Sequence, residues 1–188
     1  MVALTGWTAE AVRELIDESR HWPRYEVIDG ELCVTPAPRP VHQEAAARLW
    51  ALLDAYIRPA RLGHVFLSPA DIEFGPRTLV QPDVFIVPLI EGRRPRAWSE
   101  VTALLLAVEI VSRGSARRDR GAKRRLYQRQ RVPEYWVVDL DARLVERWRP
   151  ADERPEIVSE TLVWQPDAGS APLVVVLAGM FEEVLGEE

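Results

Sequence analysis

A chain of 188 residues, 47% hydrophobic and 28% charged, suits one soluble folded domain with a sizeable core. Its formal net charge of −5 excludes a global basic field, so any polyanion must be met by a local patch. No apolar run approaches the roughly 20 residues of a membrane span, the N-terminus lacks a basic start and an apolar signal core, and the lone Cys33 excludes an internal disulfide and suits a reducing compartment. The expected setting is the cytoplasm, away from any membrane.

Thr8 can cap a short helix reaching about Ser19, with Val12, Leu15 and Ile16 on one side. Residues 24–28 and 31–34, joined by Asp29-Gly30, read as a hairpin, because that pair tolerates the positive φ of a tight turn. After the proline-broken loop from Pro36 to Pro40, Ala45, Leu49, Leu52, Leu53 and Tyr56 fall at helical spacing and predict a helix from about Val41 to Arg58. Strands are predicted at His64–Leu67, Asp71–Phe74 and Leu79–Val87. The near-continuous apolar run from Leu104 to Val111 predicts a central strand covered on both faces. A helix from about Arg117 to Arg131 follows, ended by Pro133. Glu134–Asp139 and Leu144–Arg149 then read as a hairpin, and the apolar runs at 157–164 and 173–177 as edge strands or a C-terminal extension. This order implies one α/β domain over 1–188, a mixed central sheet flanked by helices, with its core at about 25–150.

Three residues stand out chemically. Of 24 basic side chains only Lys123 is not arginine, and it lies in the densest arginine cluster, 117–125. A lysine offers a compact, mobile charge with a tunable proton, which arginine does not. Glu109 is the one polar side chain between Leu104 and Val111, and a carboxylate buried there needs a cation partner. Asp83, directly after Pro82, opens another apolar strand. Two lone carboxylates on apolar strands are hard oxygen ligands suited to Mg²⁺ or Mn²⁺. In the helix after Glu109, Asp119, Lys123, Tyr127 and Gln130 share one face at spacings of four, four and three. Arg117, Arg118, Arg120 and Arg124 form a candidate phosphate-binding edge. His21, His42 and His64 are too widely spaced for a zinc signature, and no glycine-rich phosphate loop or supported serine or cysteine nucleophile is present.

Tyr25–Leu32, Gln81-Pro82-Asp83, Glu109–Ser112, then Asp119, Gly121, Lys123 and Tyr127, and finally Val132–Asp139 form an ordered set. Together they resemble the PD-(D/E)XK nuclease superfamily and, within it, the Uma-type restriction endonuclease family of bacteria. The resemblance runs from about Tyr25 to Pro150. It departs from the superfamily's basic pattern at Val111, where a lysine would lie on the strand itself; in this branch the lysine has moved into the following helix, as Lys123 has.

The resemblance implies a restriction-endonuclease-like α/β core in which Asp83 and Glu109 hold Mg²⁺, with Mn²⁺ as substitute. Glu44 is a further candidate ligand, and Lys123 serves the attacking water or the transition-state charge. Asp119, Tyr127 and Asp71 would support that centre from behind. It implies hydrolysis of DNA phosphodiesters by a homodimer, an arrangement that seven tryptophans also suit. The alternatives are a phosphodiesterase acting on RNA or small nucleotides, and a non-catalytic module that holds nucleic acid or a protein. Lys123→Arg is expected to abolish cleavage and leave the fold nearly unchanged.

Overall fold

A computed structural model of the chain describes residues 5–18 and 23–186. Helix α1 (Ala9–Glu18) is capped as expected, the Thr8 hydroxyl accepting the Ala11 N–H at 3.1 Å; the expected end at Ser19 lies outside the described residues. Strands β1 (Arg24–Ile28) and β2 (Glu31–Thr35) form the hairpin, with Asp29 and Gly30 at φ 52° and 86°. Pro40 opens α2 (Pro40–Ala60), where it sacrifices only an N–H that has no helical partner. Ala45, Leu49, Leu53 and Ile57 of α2 are buried at four-residue intervals.

Strands β3 (His64–Leu67), β4 (Ile72–Gly75), β5 (Thr78–Val80) and β6 (Val84–Val87) follow. The run expected as one strand over 79–87 is therefore two, and they belong to different sheets. Pro82 cannot donate to a ladder, so the chain leaves one sheet and enters the other across Gln81-Pro82-Asp83. Next come β7 (Leu106–Ile110) and a helix in three parts: α3 (Ala116–Arg118), a π-helical turn (Asp119–Lys123) and α4 (Arg124–Arg129). Strands β8 (Glu134–Asp139), β9 (Leu144–Trp148), β10 (Glu156–Val158), β11 (Thr161–Trp164) and β12 (Leu173–Val176) lead to α5 (Leu177–Leu185). Strands β11 and β12 fall in the two expected apolar runs, and helix α5 follows where no helix was expected. Its buried Leu177, Met180, Phe181 and Val184 carry a helical spacing that the neighbouring valines of β12 obscure.

The main sheet is mixed, in the order β10-β9-β8-β7-β6-β3, with β7 and β8 parallel and the other pairs antiparallel. β7 is thus central, as its apolar run implied. One face packs on α2, α5 and the β11–β12 hairpin through Leu106, Val108, Ile110, Trp136 and Val138. The opposite face meets the four-stranded antiparallel sheet β2-β1-β5-β4 and α4 through Phe85, Ala107, Tyr127, Tyr135 and Val137. Among the described residues, no helix is long and apolar enough to cross a membrane.

Candidate active site

Strand alternation decides which side chains meet between the two sheets. Because Leu106, Val108 and Ile110 point to the α2 face, Glu109 points with Ala107 to the other. Val84 pairs with Val108 in antiparallel register, so one step further brings Asp83 level with Glu109. From the smaller sheet, Ile28 faces the main sheet while Val27 packs towards α1; Glu26 therefore also points inward and is 3% exposed. A cavity of about 430 Å³ lies where these elements meet, and its walls include Glu26, His42, Asp83, Glu109, Asp119 and Lys123.

The π-helical turn delivers the lysine. The Arg124 N–H reaches the carbonyl of Asp119, five residues back, which widens the helix by one residue. In a regular α-helix Asp119 and Tyr127, eight residues apart, would diverge by about 80°. The wider turn takes back part of that rotation, and Asp119, Lys123 and Tyr127 are all buried on the inward face. Gln130, the fourth member of the expected face, is exposed beyond the helix end. Lys123 Nζ lies 2.7 Å from Glu109 Oε1 and 2.8 Å from Glu26 Oε1. The Tyr127 hydroxyl donates to the same Glu109 oxygen at 3.1 Å, and Glu26 Oε1 also accepts the Gln81 N–H at 2.8 Å.

One ammonium between two buried carboxylates leaves negative charge in excess. Burial pushes the Glu109 carboxyl well above its ordinary range; Lys123 offsets this only partly, and Asp83, Asp119 and Glu26 add to it. Burial likewise raises Glu26, but there Lys123 and Arg118 outweigh it and the group is held below its usual value. Lys123 is pushed down by burial and up more strongly by Glu109 and Glu26, so it stays charged. Asp83 is kept ionised against its burial by His42, Arg24 and the backbone: His42 Nε2 is 3.1 Å from Oδ2, the Ile110 N–H donates to the same oxygen at 2.9 Å, and Arg24 Nη2 meets Oδ1 at 3.0 Å.

Asp119, raised mainly by its burial, keeps an Oδ1 atom that is buried and makes no hydrogen bond. A cavity floor of closely set carboxyl groups, one with a buried oxygen that makes no hydrogen bond, has the oxygen chemistry that suits a hard divalent cation. Among the described residues no three His, Cys, Asp or Glu side chains are already drawn together as a metal-holding group, since Glu109 Oε1 is turned to Lys123 and Tyr127.

The other residues singled out from sequence divide. Glu44 is exposed on the first turns of α2 and is not part of the cavity wall; its neighbour His42 is, although the sequence argued against any histidine. Asp71 accepts a bond from Gln81 Nε2 at 2.8 Å, one residue removed from the cavity. Of the four arginines, only Arg118 lines the cavity, bonded to Thr35 Oγ1 at 2.7 Å. Arg120 is spent on Asp139 and Glu146 at 2.6 and 2.5 Å, Arg124 sits over the Trp148 ring at 4.9 Å, and Arg117 is exposed outside the cavity. The exposed arginines at the cavity are instead Arg39 and Arg113. Glu26 escaped notice because a glutamate in a hairpin strand reads as solvent-facing polarity. Its one signal was that alternation places it on the face of Ile28.

A search of curated proteins returned no match. Among solved structures, the chain is similar to one described as a "putative nuclease belonging to DUF820 from Anabaena variabilis ATCC 29413", with a TM-score of 0.76 and 20% identity over 95% of this chain and 99% of that one. At that identity the likeness speaks for the fold. The sequence itself matches the family described as "Uma2: Putative restriction endonuclease" over residues 9–175. With so much of its length matched, the chain belongs to the Uma2 family.

Proposed function

We propose that the protein is a nuclease and, more specifically, a divalent-metal-dependent endonuclease that hydrolyses DNA phosphodiester bonds. The observation that carries this reading is the buried Lys123 ammonium, 2.7 Å from Glu109 in the cavity that Asp83 also lines. The family description and the nuclease-like fold agree with it. Asp83 and Glu109 are the residues that would hold Mg²⁺ or Mn²⁺; when bound, such an ion neutralises phosphate charge and makes a bound water more acidic.

The side chains then have separable tasks. Arg24, His42 and the Ile110 N–H keep Asp83 ionised and oriented. Glu26 and Glu109 together keep Lys123 protonated. A permanently charged ammonium is a poor base, so Lys123 stabilises the negative charge that grows on the attacked phosphate. Arg39, Arg113 and Arg118 meet the neighbouring phosphates at the cavity mouth. The same reading takes the chain as one domain working as a homodimer in the cytoplasm, one site for each strand.

The test is supercoiled plasmid incubated with Mg²⁺ or Mn²⁺ beside Asp83→Ala. Cleavage by the wild type alone supports the reading, and DNA bound but uncut by both proteins turns it into a binding module. A second expectation separates the two sets of arginines. Replacing Arg39 and Arg113 together with alanine should weaken DNA binding and reduce the slope of log K against log salt by about 2. The pair Arg117 and Arg124 should change that slope much less, and an equal effect from both pairs would return the phosphate contact to the outer helix face.

A further inference from the structure

We infer that His42 is a direct ligand of the metal ion, so that the centre takes a mixed nitrogen and oxygen donor set and selects Mn²⁺ over Mg²⁺. The inference rests on the metal-dependent reading above.

The argument begins with a distance. His42 Nε2 and Asp83 Oδ2 are 3.1 Å apart. Donor atoms on adjacent corners of an octahedron with bonds of about 2.1–2.2 Å lie about 3.0–3.1 Å apart. The imidazole and the carboxylate are separated as two such corners would be, a spacing that a hydrogen bond between them also gives.

Placement supports the same role. His42 belongs to the first turn of α2, a helix anchored to the main sheet by Ala45, Leu49, Leu53 and Ile57. Its side chain is 14% exposed and lines the cavity. It faces the cavity, as Arg24 also does, while the Ile110 N–H holds the carboxylate from the backbone. Arg24 and the Ile110 N–H stay on Asp83 when the imidazole turns to an ion. An ion taken first by Asp83 and His42, and joined by Glu109 once its carboxylate turns from Lys123 and Tyr127, keeps the remaining corners for water and phosphate oxygen. Imidazole nitrogen favours the later first-row metals and Mn²⁺ tolerates it, whereas Mg²⁺ prefers oxygen throughout.

The alternative is that His42 only donates a hydrogen bond to Asp83 and orients it. His42→Gln distinguishes the two, because the amide can still donate to Asp83 but gives an ion no imidazole nitrogen. The measurement is pulsed electron paramagnetic resonance on the full chain loaded with Mn²⁺ alone, with Mn²⁺ and Mg²⁺ affinities from competition titration. The wild type should show coupling to a directly bound nitrogen. His42→Gln should lose it, along with at least about tenfold of the preference for Mn²⁺ over Mg²⁺. Mn²⁺ that binds in the wild type and is lost in Asp83→Ala, but shows no nitrogen coupling, overturns the inference and leaves the metal-dependent reading intact. No Mn²⁺ uptake by the wild type removes both.

Discussion

Lys123→Met is expected to lower the melting temperature by about 6–12 °C and to reduce cleavage by at least about 100-fold. The side chain is 2% exposed and stands between Glu26 and Glu109. Removing one partner of a buried charge pair costs about 3–5 kcal/mol, chiefly because the other is left uncompensated. Glu109, already inclined to keep its proton, relieves part of that loss, which places the cost near the lower end, about 3 kcal/mol. In a chain of this size each kcal/mol moves the midpoint by about 2–4 °C. Adding Glu26→Gln to Lys123→Met should restore about half of the lost stability without restoring cleavage, since it removes the orphaned carboxylate but not the need for the ammonium. A single variant that melts with the wild type would show that the ammonium does not hold the carboxylates together. The burial also bears on Lys123→Arg: the larger planar fork cannot take the ammonium's place between Glu26 and Glu109 without shifting them, at about 1–3 kcal/mol, so this variant should lose stability as well as activity.

Glu109→Gln should do the opposite to stability while also abolishing cleavage. In the wild type without metal, unfolded Glu109 releases its proton near the ordinary value of 4.5, whereas the folded group keeps it to higher pH. Between those two values the unfolded state binds fewer protons, so stability falls as pH rises and levels off above the folded value. Glutamine keeps an oxygen for Lys123 and Tyr127 and carries no charge, so that slope disappears. Melting curves in chelator at pH 5 and pH 8 should show the variant gaining on the wild type at the higher pH. Adding Mg²⁺ or Mn²⁺ should then stabilise the wild type and leave the variant unmoved. Parallel pH profiles for the two proteins would mean that Glu109 is ionised without metal and that the excess charge is placed elsewhere.

What could be read from the sequence was whatever depends on spacing. The Asp29-Gly30 hairpin, the α2 stripe, the central β7 run and the helix carrying Lys123 follow from periodicity and turn chemistry, and each is where those rules put it. Asp83, Glu109 and Lys123 stood out because each contradicts its surroundings, two acids on apolar strands and one lysine among arginines. Glu26 and His42 contradict nothing locally. Only the packing of the smaller sheet and of α2 around the main sheet shows that they are buried or turned inward. The arginines divide for a related reason: Arg118 and Arg120 are two residues apart, yet one lines the cavity and the other closes on Asp139 and Glu146. Pro82 was visible, but its effect of sending β5 and β6 into separate sheets depends on having two sheets to separate.

The partnerships of the site reach far along the chain. Arg24 waits for Asp83, 59 residues on, and Glu26 for Gln81, 55 residues on, before Lys123 completes the set. During synthesis the first hairpin leaves the ribosome with its acid solvated and without its cation, and a chain halted before β7 has neither Glu109 nor Lys123. Such long-range pairings close late, after the local turns and helices. A chain that ends before Lys123 therefore lacks the cation that sits between Glu26 and Glu109.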